Sequence, residues 1–165
     1  MSGWWAGKAR QFRRYLTGRV ATDERNALGE WLTPVQAALF EGMPRPDRRH
    51  GLDVVGSLRA SGHGADTELL LAGLLHDCGK GPDVGLWPRV AWSLGERYGQ
   101  RVLTVTGRMP GFAAPLARIR VHAAVSAEMA LAAGCTPRTA ELIRNQSAPL
   151  DASAGEALRL ADEAN

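Results

Sequence analysis

The sequence predicts an all-α fold, with one domain of about six to eight helices preceded by a further amphipathic helix. Apolar residues recur three and four positions apart through most of the 165 residues, which is the spacing of a helix face. Proline, glycine and N-capping residues separate these segments. Only Val102–Thr106 has a β-like composition, and it is too short and isolated to predict a sheet. A hydrophobic content of 45% suits one globular domain of this length.

The chain divides at about residue 30 into a basic extension, residues 1–30, and a helical domain, residues 31–165. The first twenty residues hold five of the twenty basic residues and none of the seventeen acidic ones, so they contribute +5 and the remainder −2. The pI of about 9.3 therefore reflects the extension and is weak evidence that the domain binds nucleic acid. The apolar positions that predict an amphipathic helix there are Trp5, Ala9, Phe12 and Leu16. This helix could dock on its own domain, or contact a membrane surface or another anionic partner.

No segment predicts a transmembrane helix or a secretory signal. The longest apolar run, Leu69–Leu75, is far shorter than the roughly 20 residues that a membrane span needs. The N-terminus leads into basic residues and has no apolar signal core. Cys78 and Cys135 are isolated and lack metal-type spacing, so we expect buried thiols in a reducing cytoplasm.

The first helix of the domain begins at Thr33, with proline at its first position and Gln36 completing a capping box. Its expected end is at Pro44 and Pro46. The apolar positions expected to be buried are Val35, Leu39, Phe40 and Met43.

Asp47–His50 opens the next helix, which ends at Ser61–Gly64 and leaves His63 in a loop. Asp66 or Thr67 then caps an apolar helix that runs directly into His76 and Asp77. The glycines and proline expected to end this helix are Gly79, Gly81 and Pro82.

Four further segments in the second half read as helices, each with a proline, a cap or a glycine at one end. The first is Pro88–Tyr98, in which Val90, Ala91, Leu94 and Tyr98 are expected to face inward, and the second is Pro115–Ala133, which contains His122. The third begins at Thr136–Pro137 and runs through Ile143. The last begins with a Ser153–Glu156 capping box and reaches Asp162.

The chemistry centres on His76 and Asp77, since burying an imidazole and a carboxylate at the end of an apolar helix is costly unless something compensates. A divalent metal accepts both groups as ligands. A helix whose last turn reaches water is the alternative. His50, His122 and Asp162 also fall in predicted helices, and helical bundles build metal sites from inward side chains on facing helices.

The order His50, His76-Asp77, Asp162 resembles the H…HD…D pattern of the HD superfamily of metal-dependent phosphohydrolases. The segment His76–Lys80 looks like the His-Asp-x-Gly-Lys form of that family, and Leu160–Asp162 is also similar. The resemblance covers roughly residues 47–163. It implies an HD-type helical domain whose metal ligands are His50, His76, Asp77 and Asp162.

His122–Glu128 is similar to the fourth ligand helix of the subgroup with binuclear centres, which includes cyclic-dinucleotide phosphodiesterases and bacterial dinucleoside-tetraphosphate hydrolases. In that subgroup a further histidine follows about 25 residues later. Here Gln146 is the counterpart, and an amide is a poorer ligand than imidazole. His122 is then either a ligand to a second ion or a direct contact to substrate phosphate.

The resemblance implies a hydrolase for a phosphomonoester or phosphodiester in a nucleotide or dinucleotide, with manganese, iron, nickel, zinc or magnesium bound. A catalytically degenerate domain that binds a nucleotide and regulates a partner is the alternative, and an adaptor acting through the N-terminal helix is the third reading. The sequence contains no glycine-rich phosphate loop and no Ser-His-Asp arrangement that would indicate a different hydrolytic mechanism. The residues expected to act in catalysis are Asp77, Lys80 and His122, and those expected to contact substrate are Lys80, Arg49 and Gln146.

Overall fold

The computed structural model describes residues 18–165, and this part of the chain is helical throughout, without a strand. The all-α prediction is confirmed. A π-helical turn, Arg59–His63, contains His63, and a 3-10 turn spans Cys78–Lys80. The nine α-helices of the described residues are α1 Thr22–Leu28, α2 Pro34–Glu41, α3 Arg45–Leu58, α4 Thr67–Leu75, α5 Leu86–Tyr98, α6 Gln100–Thr106, α7 Ala113–Ala132, α8 Pro137–Arg144 and α9 Ala154–Ala164.

Helix α4 lies at the centre of the main core. Every residue of Leu69–Leu75 is buried, because α4 packs against α3, α8 and α9. Gly51 allows a close crossing of α3 and α4, since a Cβ at this position would lie 2.5 Å from the carbonyl oxygen of Leu74. The large side chains that fill this core include Phe40, Val54, Leu58, Leu69, Leu74, Ile143 and Leu158.

A second, smaller core joins α5, α6 and α7 through Ala91, Leu103 and Leu116. The prediction that Val102–Thr106 is β-like was wrong, since these residues belong to α6. The β-branched residues there adopt a helix because Leu103 can then pack between α5 and α7, and tertiary packing outweighs weak local preference.

Most predicted helix starts agree with the structure. Thr33 accepts a hydrogen bond from the amide of Gln36, and the Gln36 side chain accepts one from the amide of Thr33. Asp66 caps α4 by accepting from the amide of Leu69, and Thr136 caps α8 in the same way. These starts were predictable because capping chemistry depends on neighbouring residues alone.

Three local predictions were wrong. Val35 is 59% exposed and Tyr98 is 57% exposed, because each lies on the solvent side of its helix. The Ser153 side chain forms no cap on α9. Instead, Asp151 Oδ1 accepts hydrogen bonds from the amides of Ser153 and Ala154, at 2.7 and 2.9 Å.

The predicted amphipathic helix of Trp5 to Leu16 lies outside the described residues. Val20 and Leu28, which follow it, pack on the main core. None of the helices among residues 18–165 combines the length and apolarity needed to cross a membrane.

Candidate metal centre

His76 and Asp77 follow directly after the last residue of α4, and both are almost fully buried, at 1% and 2% exposure. The Nδ1 of His76 lies 2.9 Å from the carbonyl oxygen of Gly73. A carbonyl only accepts, so Nδ1 carries the proton and Nε2 presents a lone pair. Within the described residues this buried Nε2 has no hydrogen-bond partner. A buried imidazole fixed through Nδ1 and open at Nε2 has the form of a metal ligand.

Side chains from α3 and α9 converge on His76. Asp162 Oδ1 lies 2.8 Å from His50 Nε2 and 3.5 Å from His76 Nε2. Asp77 Oδ1 lies 3.6 Å from His76 Nε2. One potential ligand atom each from His50, His76 and Asp77 lies within 4.8 Å of the others. Residues that are 112 positions apart therefore meet at one point, and these four are the residues that the sequence pattern predicts as ligands.

The charges of this cluster fit a bound cation. Burial opposes ionisation of Asp77, but Lys80 and the imidazoles of His76 and His122 outweigh it and hold the pKa of Asp77 well below its usual range. For Asp162 burial acts the same way, and the hydrogen bond from His50 together with the nearby imidazole of His76 lowers its pKa. Burial also opposes charging of His76, yet the two carboxylates raise its pKa to about 9. A nearby positive charge stabilises the two ionised carboxylates, and a divalent metal bound to neutral imidazoles would supply that charge.

His122 reaches the same carboxylate from α7. Its Nδ1 donates to the carbonyl oxygen of Ile119 at 2.5 Å, so its Nε2 carries a lone pair. That Nε2 lies 3.4 Å from Asp77 Oδ1. The Gln146 Nε2 lies 3.2 Å from His122 Nε2 and 3.5 Å from the carbonyl oxygen of His76. Gln146 thus donates to His122.

The two predicted phosphate-binding cations have different surroundings. Lys80 lies at the mouth of the cluster, with Nζ 2.5 Å from Asp77 Oδ2. Arg49 lies on another side of α3, where it pairs with Glu24 at 2.7 Å and with Asp53 at 2.8 Å. A role for Arg49 in substrate binding stays a prediction.

The 3-10 turn is pressed against α7, which the sequence did not predict. A Cβ at Gly79 would lie 2.6 Å from the carbonyl oxygen of His122 and 2.6 Å from the amide nitrogen of Ser126. The amide of Gly79 donates to Ser126 Oγ at 2.8 Å, and Arg118 Nε donates to the carbonyl oxygen of Gly79 at 2.7 Å. Arg118 therefore lies beside the turn that carries Lys80. Its spacing of four residues before His122 was the available signal, since i and i+4 share a helix face.

A partly buried ion pair holds the loop before α5. Asp47, 2% exposed, forms a two-pronged pair with Arg89, with N–O distances of 2.6 and 2.8 Å. Arg89 also donates to the carbonyl oxygen of Val84. The pair ties α5 and the loop before it to the turn of α3 that precedes His50. The sequence indicated only that Asp47 lies at the start of a helix. Its ion pair could not be predicted, because Arg89 lies 42 residues away.

Comparison of the chain with protein families, with curated proteins and with solved structures gives no match in any of the three.

Proposed function

We propose that the chain is an HD-type, metal-dependent phosphohydrolase acting on a phosphate ester of a nucleotide or dinucleotide. The observation that carries the proposal is the buried His76 Nε2, which lacks a hydrogen-bond partner among the described residues and faces Asp77, Asp162 and His50. Leaving such an atom unsatisfied costs about 1–3 kcal/mol, and a metal bond would remove that cost. The order of these residues along the chain supports the HD type.

His50, His76, Asp77 and Asp162 would hold the metal. When bound, a divalent ion of this kind polarises a phosphoryl oxygen and lowers the pKa of a coordinated water. The carbonyl of Gly73 keeps His76 in the tautomer that ligation needs.

Lys80 and Arg118 would orient the phosphate. Both lie at the mouth of the cluster, joined through the 3-10 turn, and neither cation is buried. Lys80 offers a point charge and Arg118 a planar guanidinium that can donate twice to phosphate oxygens. A substrate bound here would place its phosphate oxygens against these two cations, next to the Lys80–Asp77 ion pair.

His122 would move the proton. Its unprotonated Nε2 can accept the proton that water loses as it attacks phosphorus, and the protonated ring can then return a proton to the leaving oxygen. Gln146 now donates to this atom, so it would position the ring until substrate enters.

The test is metal analysis of the purified full chain, followed by phosphomonoester, phosphodiester, cyclic-dinucleotide and dinucleoside-tetraphosphate assays with each candidate metal. We expect about one metal per chain. His76→Gln and Asp77→Asn should lose the metal and lower kcat/KM at least about a hundredfold. His63→Gln and Asp23→Asn remove the same chemical groups outside the cluster and should leave both readouts unchanged. Wild-type protein that binds no metal, or turnover that survives both cluster variants, would contradict the proposal.

The contact between Gln146 and His122 favours a second candidate, a degenerate HD domain that binds a nucleotide without hydrolysing it. With Gln146 donating to His122, a second ion has one ligand fewer than in the binuclear subgroup. Calorimetry distinguishes the two functions, since metal-loaded protein that binds a nucleotide with micromolar affinity yet releases no phosphate supports the regulatory domain.

A further inference from the structure

A cavity of about 290 Å³ lies where the chain before α1 meets the first turn of α3, and four arginines line it. We call it the arginine cavity. Its lining residues are Arg19, Val20, Arg25, Arg45 and Arg48. Pockets for whole drug-sized ligands start at about this volume, so the cavity suits a small anion.

The positive charge of the arginine cavity is poorly neutralised. Arg25 and Arg48 share a single carboxylate, that of Glu41. Arg45 Nε donates to the carbonyl oxygen of Gly18 at 3.0 Å. Neither Arg45 nor Arg19 has a carboxylate partner among residues 18–165.

The rest of the chain cannot complete the pairing with acidic side chains. Residues 1–17 contain no aspartate and no glutamate. In addition, the buried Nε of Arg48 has no hydrogen-bond partner in the described part of the chain. Solvent can satisfy the donors of Arg19, Arg25 and Arg45, because these side chains are exposed, so of the cavity donors only the buried Arg48 Nε is left without a partner among the described residues. An external anion with several negative oxygens would satisfy this donor and neutralise the positive charge of the cavity.

The arginine cavity is separate from the metal cluster. Arg48 and Arg45 precede His50 by two and five residues, which at about 100° per residue puts them on the far side of α3 from His50. The acidic residue in this first turn, Asp47, is already paired with Arg89. The positive end of the α3 dipole adds to the potential at the turn.

We propose that the arginine cavity is a second binding site, which takes a diphosphate group away from the metal centre. Guanidinium forks match phosphate oxygens in pairs, and several arginines favour a polyvalent phosphate over a singly charged ion. The group could come from inorganic diphosphate or from a nucleoside diphosphate. The proposal does not depend on the proposed hydrolytic function.

The test is isothermal titration of the metal-free full chain with inorganic diphosphate, and in a second arm with ADP. One site per chain is expected. The double variant Arg45→Gln/Arg48→Gln should weaken diphosphate binding at least tenfold. The control Arg101→Gln/Arg120→Gln removes the same charge from exposed positions on α6 and α7 and should change it less than twofold. Equal affinity for the two ligands means that the site recognises only the diphosphate group, and tighter ADP binding means that it also contacts the nucleoside. Either result supports the site.

Arg19→Gln provides an independent check, because no described ion pair depends on Arg19 and its loss should not unfold the protein. It should weaken diphosphate binding about threefold with an unchanged thermal midpoint. The proposal is overturned if diphosphate does not bind, if both double variants weaken it equally, or if Asp77→Asn abolishes binding while Arg45→Gln/Arg48→Gln retains it. The last result would place the ligand at the metal cluster.

Discussion

At the scale of single residues, Gln146 is the side chain that would limit how many ions the proposed metal centre holds. Its amide donates to His122 and to the backbone of His76, so it is satisfied without a metal. A glutamine in this position fixes the His122 ring by donating to its Nε2. We therefore expect the proposed centre to hold one ion, bound by His50, His76, Asp77 and Asp162.

Gln146→His tests this reading. The new imidazole would lie next to His122 and Asp77, and three such ligands suffice for an ion with open positions. We expect metal content to rise from about one to about two ions per chain, measured by elemental analysis after dialysis against manganese. Gln146→Asn keeps the amide but shortens it, and should leave the content near one. A count of one in both variants would show that the second position cannot form.

At the scale of elements, Gly79 sets the distance between the 3-10 turn and α7, and with it the distance between Asp77 and His122. Gly79→Ala puts a Cβ against two backbone atoms of α7, which cannot move as a flexible side chain could. We expect a loss of about 1–3 kcal/mol in the free energy of unfolding, measured by denaturant titration, together with weaker metal binding. Gly85→Ala is the control, because its Cβ would meet nothing within 4 Å. Equal stability of the two variants would contradict the tight contact.

An ion pair between Asp66 and Arg138 stabilises the N-terminus of α4. Hydrogen bonding to Arg138 lowers the pKa of Asp66 to about 2, against 3.8 for the free group, and the Leu69 amide adds to this. Because the folded-state pKa is depressed, the stabilisation is complete above about pH 4 and is lost as pH falls toward 2. Because solvent screens this ion pair, we expect the ionised Asp66 to contribute about 1 kcal/mol to the free energy of unfolding.

Asp66→Asn removes this charge but keeps a side chain that can cap the helix. We expect the thermal midpoint of the wild type to fall more steeply than that of Asp66→Asn between pH 4 and pH 2, as followed by circular dichroism. Asp83→Asn removes an exposed carboxylate and should track the wild type. If the thermal midpoints of all three proteins fell in parallel between pH 4 and pH 2, Asp66 would not be a cause of the acid sensitivity.

The same scale shows which features were predictable from the sequence. The Thr33 and Thr136 caps depend on residues within one turn, and the apolar run of α4 requires burial wherever the helix lies. Helix α6 was missed because its conformation depends on packing against α5 and α7. For the cluster, the residue types and their order predicted which side chains meet. Arg118 offered one signal, its spacing of four residues before His122. The contact of Ser126 and the Asp47–Arg89 pair could not be predicted, because each depends on the approach of distant elements.

At the scale of the whole molecule, the cluster of His50, His76, Asp77 and Asp162 joins helices that are distant in the sequence. His50 lies on α3, His76 and Asp77 follow α4, and Asp162 lies on α9, near the end of the chain. The ion would therefore cross-link both ends of the main core through side chains, while α5 and α6 belong to the second core. Metal binding should act on global stability rather than on one local contact.

A ligand that binds only the folded state stabilises it by about 2.7 kcal/mol at a hundredfold excess over Kd. For a chain of this size that corresponds to a rise of roughly 5–10 °C in the thermal midpoint. We expect this rise on adding the preferred metal to the metal-free wild type, measured by scanning calorimetry. Asp162→Asn weakens only the α9 side of the cluster and should show less than half of this rise in the thermal midpoint. His63→Gln, outside the cluster, should show the full rise. An equal rise in Asp162→Asn and in the wild type would mean that α9 does not contribute a ligand, and the ion would then be held by His50, His76 and Asp77 alone.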